Sequence, residues 1–198
     1  MRSVNWSGTF LLLVPLAVAG CDKVRDFVPW QRFSVASASM EPTLIKGTHV
    51  TGVAVNAENL ARGDVVIVRS GDEKWLSRVV GLPGDRIALA DGIVILNGKS
   101  IPQRAVGRWT ISDSPGRPDA AMLSERFPKE PRSHRVLDMG PTPADDFAEV
   151  ALGGNDYFLL GDNRDNAADS RFDGKQFGFG LGVVRSEDIE RRVTLPED

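Results

Sequence analysis

Cysteine is nearly missing from this 198-residue chain: Cys21 is the only one, so no internal disulfide is possible. Histidine appears only twice, at His49 and His134. No paired-histidine zinc motif can be written from them. No excess of basic charge exists either. The formal net charge is −3, without the basic footprint of a nucleic-acid binder. The chain also lacks a hydrophobic run of the roughly 20 residues that a membrane-spanning helix needs. There is no Gly-x-Ser-x-Gly elbow and no Ser-x-x-Lys frame. Gly178, Gly180 and Gly182 alternate without the spacing of a dinucleotide fingerprint, and read as a flexible strand or bulge. No internal repeat is found. What remains, 41% hydrophobic and 26% charged residues, is an ordinary globular composition, enough for one domain and a short tether.

The N-terminus has a character of its own. Arg2 gives a weakly basic start, and Phe10 to Ala19 is apolar except for Pro15. That length fits the hydrophobic region of a signal peptide. It closes on Val18-Ala19-Gly20-Cys21, which resembles the lipobox of bacterial lipoproteins. The resemblance implies that Cys21 is lipidated and becomes the mature N-terminus. A plain secretory signal or a short uncleaved anchor is the alternative. Asp22 beside the cysteine matches the pattern that retains enterobacterial lipoproteins in the inner membrane. Residues 1–21 are thus read as a signal peptide and 22–34 as a membrane-proximal tether. Arg25, Trp30, Arg32 and Phe33 suit the tether to a lipid interface.

The remainder, 35–198, is predicted to be mainly β. Val50–Val55, Asp64–Arg69, Trp75–Val80, Arg86–Ala90, Ile93–Leu96 and Asp156–Leu160 are short runs rich in β-branched and apolar residues, set off by glycines. Asp91-Gly92 between two of them predicts a hairpin with a type I′ turn. Helical periodicity is weak, with short turns expected near Ala57–Ala61 and Ser186–Glu190. The stretch 102–146 is proline-rich, charged and poorly periodic, and is expected to be an irregular inserted cap.

Three segments carry chemistry. Ser37-Ala38-Ser39-Met40-Glu41-Pro42-Thr43-Leu44 resembles the nucleophile box of bacterial type I signal peptidases, serine proteases with a Ser–Lys dyad. Arg78-Val79-Val80-Gly81-Leu82-Pro83-Gly84-Asp85 resembles the box that follows their catalytic lysine. Gly161-Asp162-Asn163-Arg164-Asp165-Asn166-Ala167-Ala168-Asp169-Ser170-Arg171 matches their last box almost letter for letter. The resemblance implies an antiparallel β-sheet core with Ser39 as nucleophile and Ser37 as a hydroxyl of the oxyanion hole. Met40, Pro42, Arg78, Asp162, Asp169 and Arg171 would support the site. As a bare acidic loop, the third segment could instead be a calcium site. EF-hand spacing fails from both Asp162 and Asp165, and no metal or cofactor is implied.

Two positions depart from the family together. Its lysine stands directly before the arginine of the second box, where this chain has Ser77. Its last box commonly has a serine that hydrogen-bonds that amine, where this chain has Ala167. Lys74 lies an odd three residues before Ser77, and so is expected on the opposite face of the strand. Lys46 reads as a solvated loop lysine, and both histidines as surface or packing residues. Two functions follow from the resemblance. One is a membrane-tethered signal peptidase I-like serine endopeptidase that cleaves N-terminal signal peptides after small residues. The other is a catalytically impaired homologue that binds signal peptides or exported proteins without cutting them. Either implies pre-proteins and the membrane surface as partners, no nucleic acid, and a lipid-anchored place on the periplasmic face of the bacterial inner membrane.

Overall fold

The computed structural model describes residues 29–111 and 119–195. Cys21 and the apolar run before it, with the first part of the tether, lie outside the described residues. The strands in chain order are β1 (Trp30–Ser34), β2 (His49–Ala54), β3 (Val65–Ser70), β4 (Glu73–Gly81), β5 (Arg86–Ala90), β6 (Ile93–Leu96) and β7 (Lys99–Ser100). They continue with β8 (Gln103–Trp109), β9 (Ala120–Glu125), β10 (His134–Asp138), β11 (Phe147–Ala151), β12 (Asp156–Leu160), β13 (Val184–Arg185) and β14 (Ile189–Thr194). One four-residue helix, α1 (Gly174–Phe177), and short 3-10 turns complete the described residues. Among the described residues no helix is long and apolar enough to cross a membrane.

The principal sheet has seven strands in the order β1-β2-β14-β3-β4-β12-β13, every pairing antiparallel. Strand β3 sits near its centre, and Val65, Val66, Ile67 and Val68 are all buried. A continuous apolar run rather than an alternating one is what a strand covered on both faces requires. A four-stranded sheet, β11-β5-β6-β7, packs Ile87, Leu89, Val94 and Leu96 against Val80, Phe158 and Leu160 of the principal sheet. The Asp91-Gly92 turn joining β5 to β6 has φ of +49° and +75°, the two positive values a type I′ turn needs.

The inserted stretch is more regular than its composition implies. Strands β8, β9 and β10 form their own antiparallel sheet. Their sequences hide this because β8 exposes nearly all its residues, leaving no alternation to read. The tether also ends earlier than expected, since Trp30–Ser34 pairs with β2 along its whole length. Strand β14 follows the expected turn at 186–188 and inserts between β2 and β3, although Arg191 and Arg192 interrupt its apolar pattern.

Candidate active site

The nucleophile box lies in the connection from β1 to β2. Its Met40 is fully buried beside Val35, Leu44 and Ile67. The Leu44 N–H donates to the Met40 carbonyl at 2.9 Å, closing a turn, and the Glu41–Pro42 peptide bond is cis. This leaves Ser37 exposed and Ser39 half-buried, with their hydroxyl oxygens 3.1 Å apart.

Two consecutive residues of the segment after β12, Asp162 and Asn163, hold that turn in place. The Asp162 carboxylate is fully buried and accepts from Arg78 Nε at 2.7 Å and Nη2 at 2.6 Å. It also accepts from the Thr43 hydroxyl of the nucleophile box. Burial alone would raise the Asp162 pKa, but the fork of the Arg78 guanidinium outweighs it and holds the carboxyl below its ordinary range. Asn163 donates its backbone N–H to the Ser39 carbonyl and its side-chain amide to the Ala38 carbonyl, both at 3.0 Å. Arg164 reaches the other way, to the Gly161 carbonyl and to Glu125 on β9.

Asp169 and Arg171 brace the far side. One Asp169 oxygen accepts from Arg171 Nε at 2.9 Å, and the other from Arg171 Nη2 at 2.9 Å and the Gly161 N–H at 3.0 Å. A methyl on Gly161 would meet the Ala167 Cβ at 2.3 Å and the Ser39 carbonyl at 2.8 Å. Glycine is needed there because the chains on either side close upon it.

These elements bound a cleft of about 530 Å³. Ser37, Ser39, Ser77, Ala167 and Asp169 all line it, so residues distant in sequence are brought together. Ser77 is buried on β4, opposite Val66 of β3. The neighbouring β12 pairs with β4 only at Arg78, Val79 and Gly81, so the edge of β4 from Glu73 to Ser77 borders the cleft instead. Phe33, Ile67, Trp75 and Leu76 supply apolar walls. Met40, Pro42, Arg78, Asp162 and Arg171 are not part of this lining.

Lys74 keeps the opposite strand face from Ser77, since β4 pairs with β3 there without a register shift. It borders the same cleft, because the exposed strand edge rather than one strand face meets the cavity. Its ammonium is ion-paired with Glu190 of β14 and stands 5.7 Å above the Phe33 ring. Acting on Ser39 would require breaking that pair. His49 is exposed on β2 and does not line the cleft. His134 is buried in the inserted sheet, between Glu125 and Glu130. Lys46 is exposed. Among the described residues no group of His, Cys, Asp and Glu is arranged to hold a metal ion.

Asn163, Thr43 and Glu41 were not singled out by sequence reasoning, although all three lie inside the recognised boxes. Glu41 is buried and accepts from the Trp109 indole N–H at 3.1 Å, tying the box to β8. A carboxylate beside a nucleophilic serine is the signal that could have marked it.

Ser39, on its turn with the Ser37 hydroxyl beside it, thus opens on a largely apolar cleft bordered by the edge of β4. Comparison with known proteins gives the family. The sequence profile described as "Signal peptidase, peptidase S26" matches residues 4–196, and the chain belongs to that family of serine peptidases. It is 27% identical over 188 residues to a signal peptidase I of Bacillus amyloliquefaciens, covering 94% of this chain and 83% of that protein. It is 28% identical to signal peptidase I S of Bacillus subtilis (strain 168), covering 94% and 84%. A crystal structure of a signal peptidase I from Enterococcus faecalis V583 aligns at TM-score 0.38 and 21% identity, over 69% of this chain and 97% of that one.

Proposed function

We propose that this protein binds the extended cleavage region of signal peptides in the cleft beside Ser39 and cuts it slowly, as a signal peptidase I-like serine endopeptidase short of its general base. The observation that carries this reading is the meeting of Ser37, Ser39, Ser77, Ala167 and Asp169 on one cleft along the open edge of β4. Unpaired backbone groups of Glu73–Ser77 can bond an extended peptide as an added strand. The scissile carbonyl would then lie at Ser39, with Ser37 and the Ser39 backbone N–H as oxyanion donors, the kind of donor worth about 3–4 kcal/mol. Among the described residues around Ser39 the serine proton meets no ready acceptor: Ser77 and Ala167 are neutral, Lys74 is engaged by Glu190, and Asp169 by Arg171 and the Gly161 N–H. In Ser-His-Asp enzymes, loss of the base alone costs about a million-fold in turnover, with roughly a thousand- to ten-thousand-fold over water surviving from binding and the oxyanion hole. Pure binding without cleavage is the second reading, favoured by the paired change at Ser77 and Ala167.

The test is cleavage of an Ala-x-Ala signal peptide by the full chain in detergent, with Ser39→Ala as control. Peptide binding with trace cleavage that disappears in Ser39→Ala supports the reading. Robust cleavage would show that another group serves as base, and cleavage unchanged in Ser39→Ala would exclude Ser39 as nucleophile.

Attachment belongs to the same reading. Val18-Ala19-Gly20-Cys21 at the end of the apolar run supports lipidation of Cys21 and a place on the periplasmic face of the inner membrane. A single acyl chain holds only marginally, so stable attachment calls for several. A metabolically incorporated fatty acid should label the wild type and not Cys21→Ser. Equal labelling of both would rule lipidation out.

A further inference from the structure

The inserted sheet is joined to the nucleophile turn at a buried cluster of charges that the proposed chemistry does not use. His134 opens β10 with its ring stacked on Phe127, centroids 5.3 Å apart. Nδ1 lies 2.8 Å from a carboxylate oxygen of Glu130, in the turn before β10, and Nε2 lies 3.2 Å from Glu125 on β9. Glu125 is also ion-paired with Arg164, from the segment after β12, and accepts from the Gln103 amide of β8 at 2.9 Å. Arg126 caps the Glu130 carbonyl, and Arg78 and Asp162 are the next charges the imidazole feels. All three acidic and basic members in direct contact, Glu125, Glu130 and Arg164, are buried.

The geometry favours the doubly protonated ring. A neutral imidazole carries one N–H and can donate to one carboxylate, leaving a lone pair facing the other. An imidazolium donates to both. It also brings two carboxylates and one guanidinium to neutrality, where a neutral ring would leave a buried negative charge uncompensated. Burial opposes the cation, but the two carboxylates outweigh it and raise the His134 pKa above its ordinary 6.5.

The cluster has a short route to Ser39. Arg164, which holds Glu125, directly follows Asn163, whose amide and backbone N–H hold the Ala38 and Ser39 carbonyls. Leu137, on the strand that His134 opens, donates its N–H to the Asp162 carbonyl at 2.8 Å and bridges Asn163 in parallel. Ala38 is itself packed among Ile111, Ala120 and Leu137 of the inserted region. Trp109 of β8 reaches Glu41 two residues beyond Ser39. A shift of the inserted sheet is therefore a shift in the support of the nucleophile turn.

We propose that His134 is a positioning residue whose protonation clasps the inserted sheet onto the Asp162–Arg164 segment and so sets the placement of Ser39. The cationic form holds Glu125 and Glu130 together and so fixes the Glu125 carboxylate that meets Arg164. Loss of its proton turns one of the two contacts repulsive and loosens that joint. The consequence for catalysis rests on Ser39 being the nucleophile. The clasp itself does not, and its test uses no substrate.

The full chain, labelled with nitrogen-15 and with carbon-13 histidine, is titrated in detergent micelles from about pH 5 to pH 9, the range histidine covers. The imidazoles of His134 and His49, the amides of Ala38 and Ser39 and the Trp109 indole N–H are followed together. The expected result is one transition shared by His134, Ala38, Ser39 and Trp109, with a midpoint above the ordinary histidine value. It is lost in His134→Gln and kept in His49→Gln. Ala38, Ser39 and Trp109 signals that stay flat, or that follow His49, overturn the proposal. So does a His134 midpoint below the ordinary histidine value. Should His134→Gln fail to fold, the wild-type and His49→Gln titrations decide the matter alone.

Discussion

If the boxes carry the roles their resemblance implies, Ser77 stands three heavy atoms short of a lysine and Ala167 one oxygen short of a serine, and together they would remove a proton acceptor and the hydroxyl that orients it. Ser77 is buried on β4 and still borders the cleft, so an amine put back there would be desolvated, which lowers an amine's pKa toward the range of a working base. Ser77→Lys should raise cleavage of a signal peptide only in part. Ser77→Lys with Ala167→Ser should exceed the sum of the single gains, since the two groups act as a unit. The combined gain should be on the order of a hundredfold or more, the scale of general-base catalysis. A double variant that keeps its fold and binds peptide but gains nothing would place the deficit elsewhere in the cleft. The pair Arg78–Asp162 makes a second claim at this scale. Both are buried, so Asp162→Asn leaves a guanidinium without its counter-ion at a cost of about 3–5 kcal/mol, measurable by denaturant unfolding. Most of these residues were legible in the sequence because the boxes fix their order without gaps. Asn163 and Thr43 were not, because their part is to hold backbone and carboxylate across more than a hundred residues of chain.

Strand β4 does two jobs along its length. From Arg78 to Gly81 it pairs with β12, with Arg78 paired to β3 as well, and from Glu73 to Ser77 it pairs with β3 while its outer edge is open to the cleft. The register shift in β12 between Phe158 and Leu159 lies in its pairing with β4, just before it leaves that strand for the Gly161 turn. Gly161 sits at the crossing of that turn with the nucleophile box. Gly161→Ala should cost about 1–3 kcal/mol, the usual penalty of an overpacked site. It should also displace Ser39, because the added methyl would meet the Ser39 carbonyl and Ala167. Denaturation together with the Ser39 amide chemical shift checks both parts. At this scale the sequence shows its strands where apolar residues run or alternate, as at β3, β5 and β6. It conceals them at β8, whose residues are mostly exposed, and at β14, where arginines interrupt the pattern. That Lys74 also borders the cleft was not legible for a related reason. Alternation tells the faces of a strand apart, but it does not tell which edge lacks a neighbour.

Across the whole molecule, the buried charges give stability a defined dependence on pH. Asp162 and Glu125 both titrate below their ordinary values, 3.8 and 4.5, because Arg78 and Arg164 outweigh the cost of burying them. Their contribution is present above those values and is lost as the pH falls through the folded-state ones. Asp165 acts in the opposite sense. Burial, with Asp145 and Asp138 nearby, raises its pKa, so it resists ionisation in the fold and blunts the acid limb. His134 governs the other side. With a folded pKa above 6.5, its contribution is complete below 6.5 and fades as the pH rises through the folded value. Stability should therefore be greatest between about pH 4.5 and 6.5 and decline toward alkaline pH, by about 1.4 kcal/mol for each unit by which the His134 pKa is raised. His134→Gln removes the titrating group, so its alkaline decline should flatten, and its deficit against the wild type should narrow as the pH rises. Asp162→Asn should keep the alkaline decline and lose part of the acid one. Urea unfolding of the three proteins at a series of pH values separates these limbs. A wild type whose stability rises from pH 6 to pH 8 would show that His134 is held as the neutral ring, against the two carboxylates that flank it.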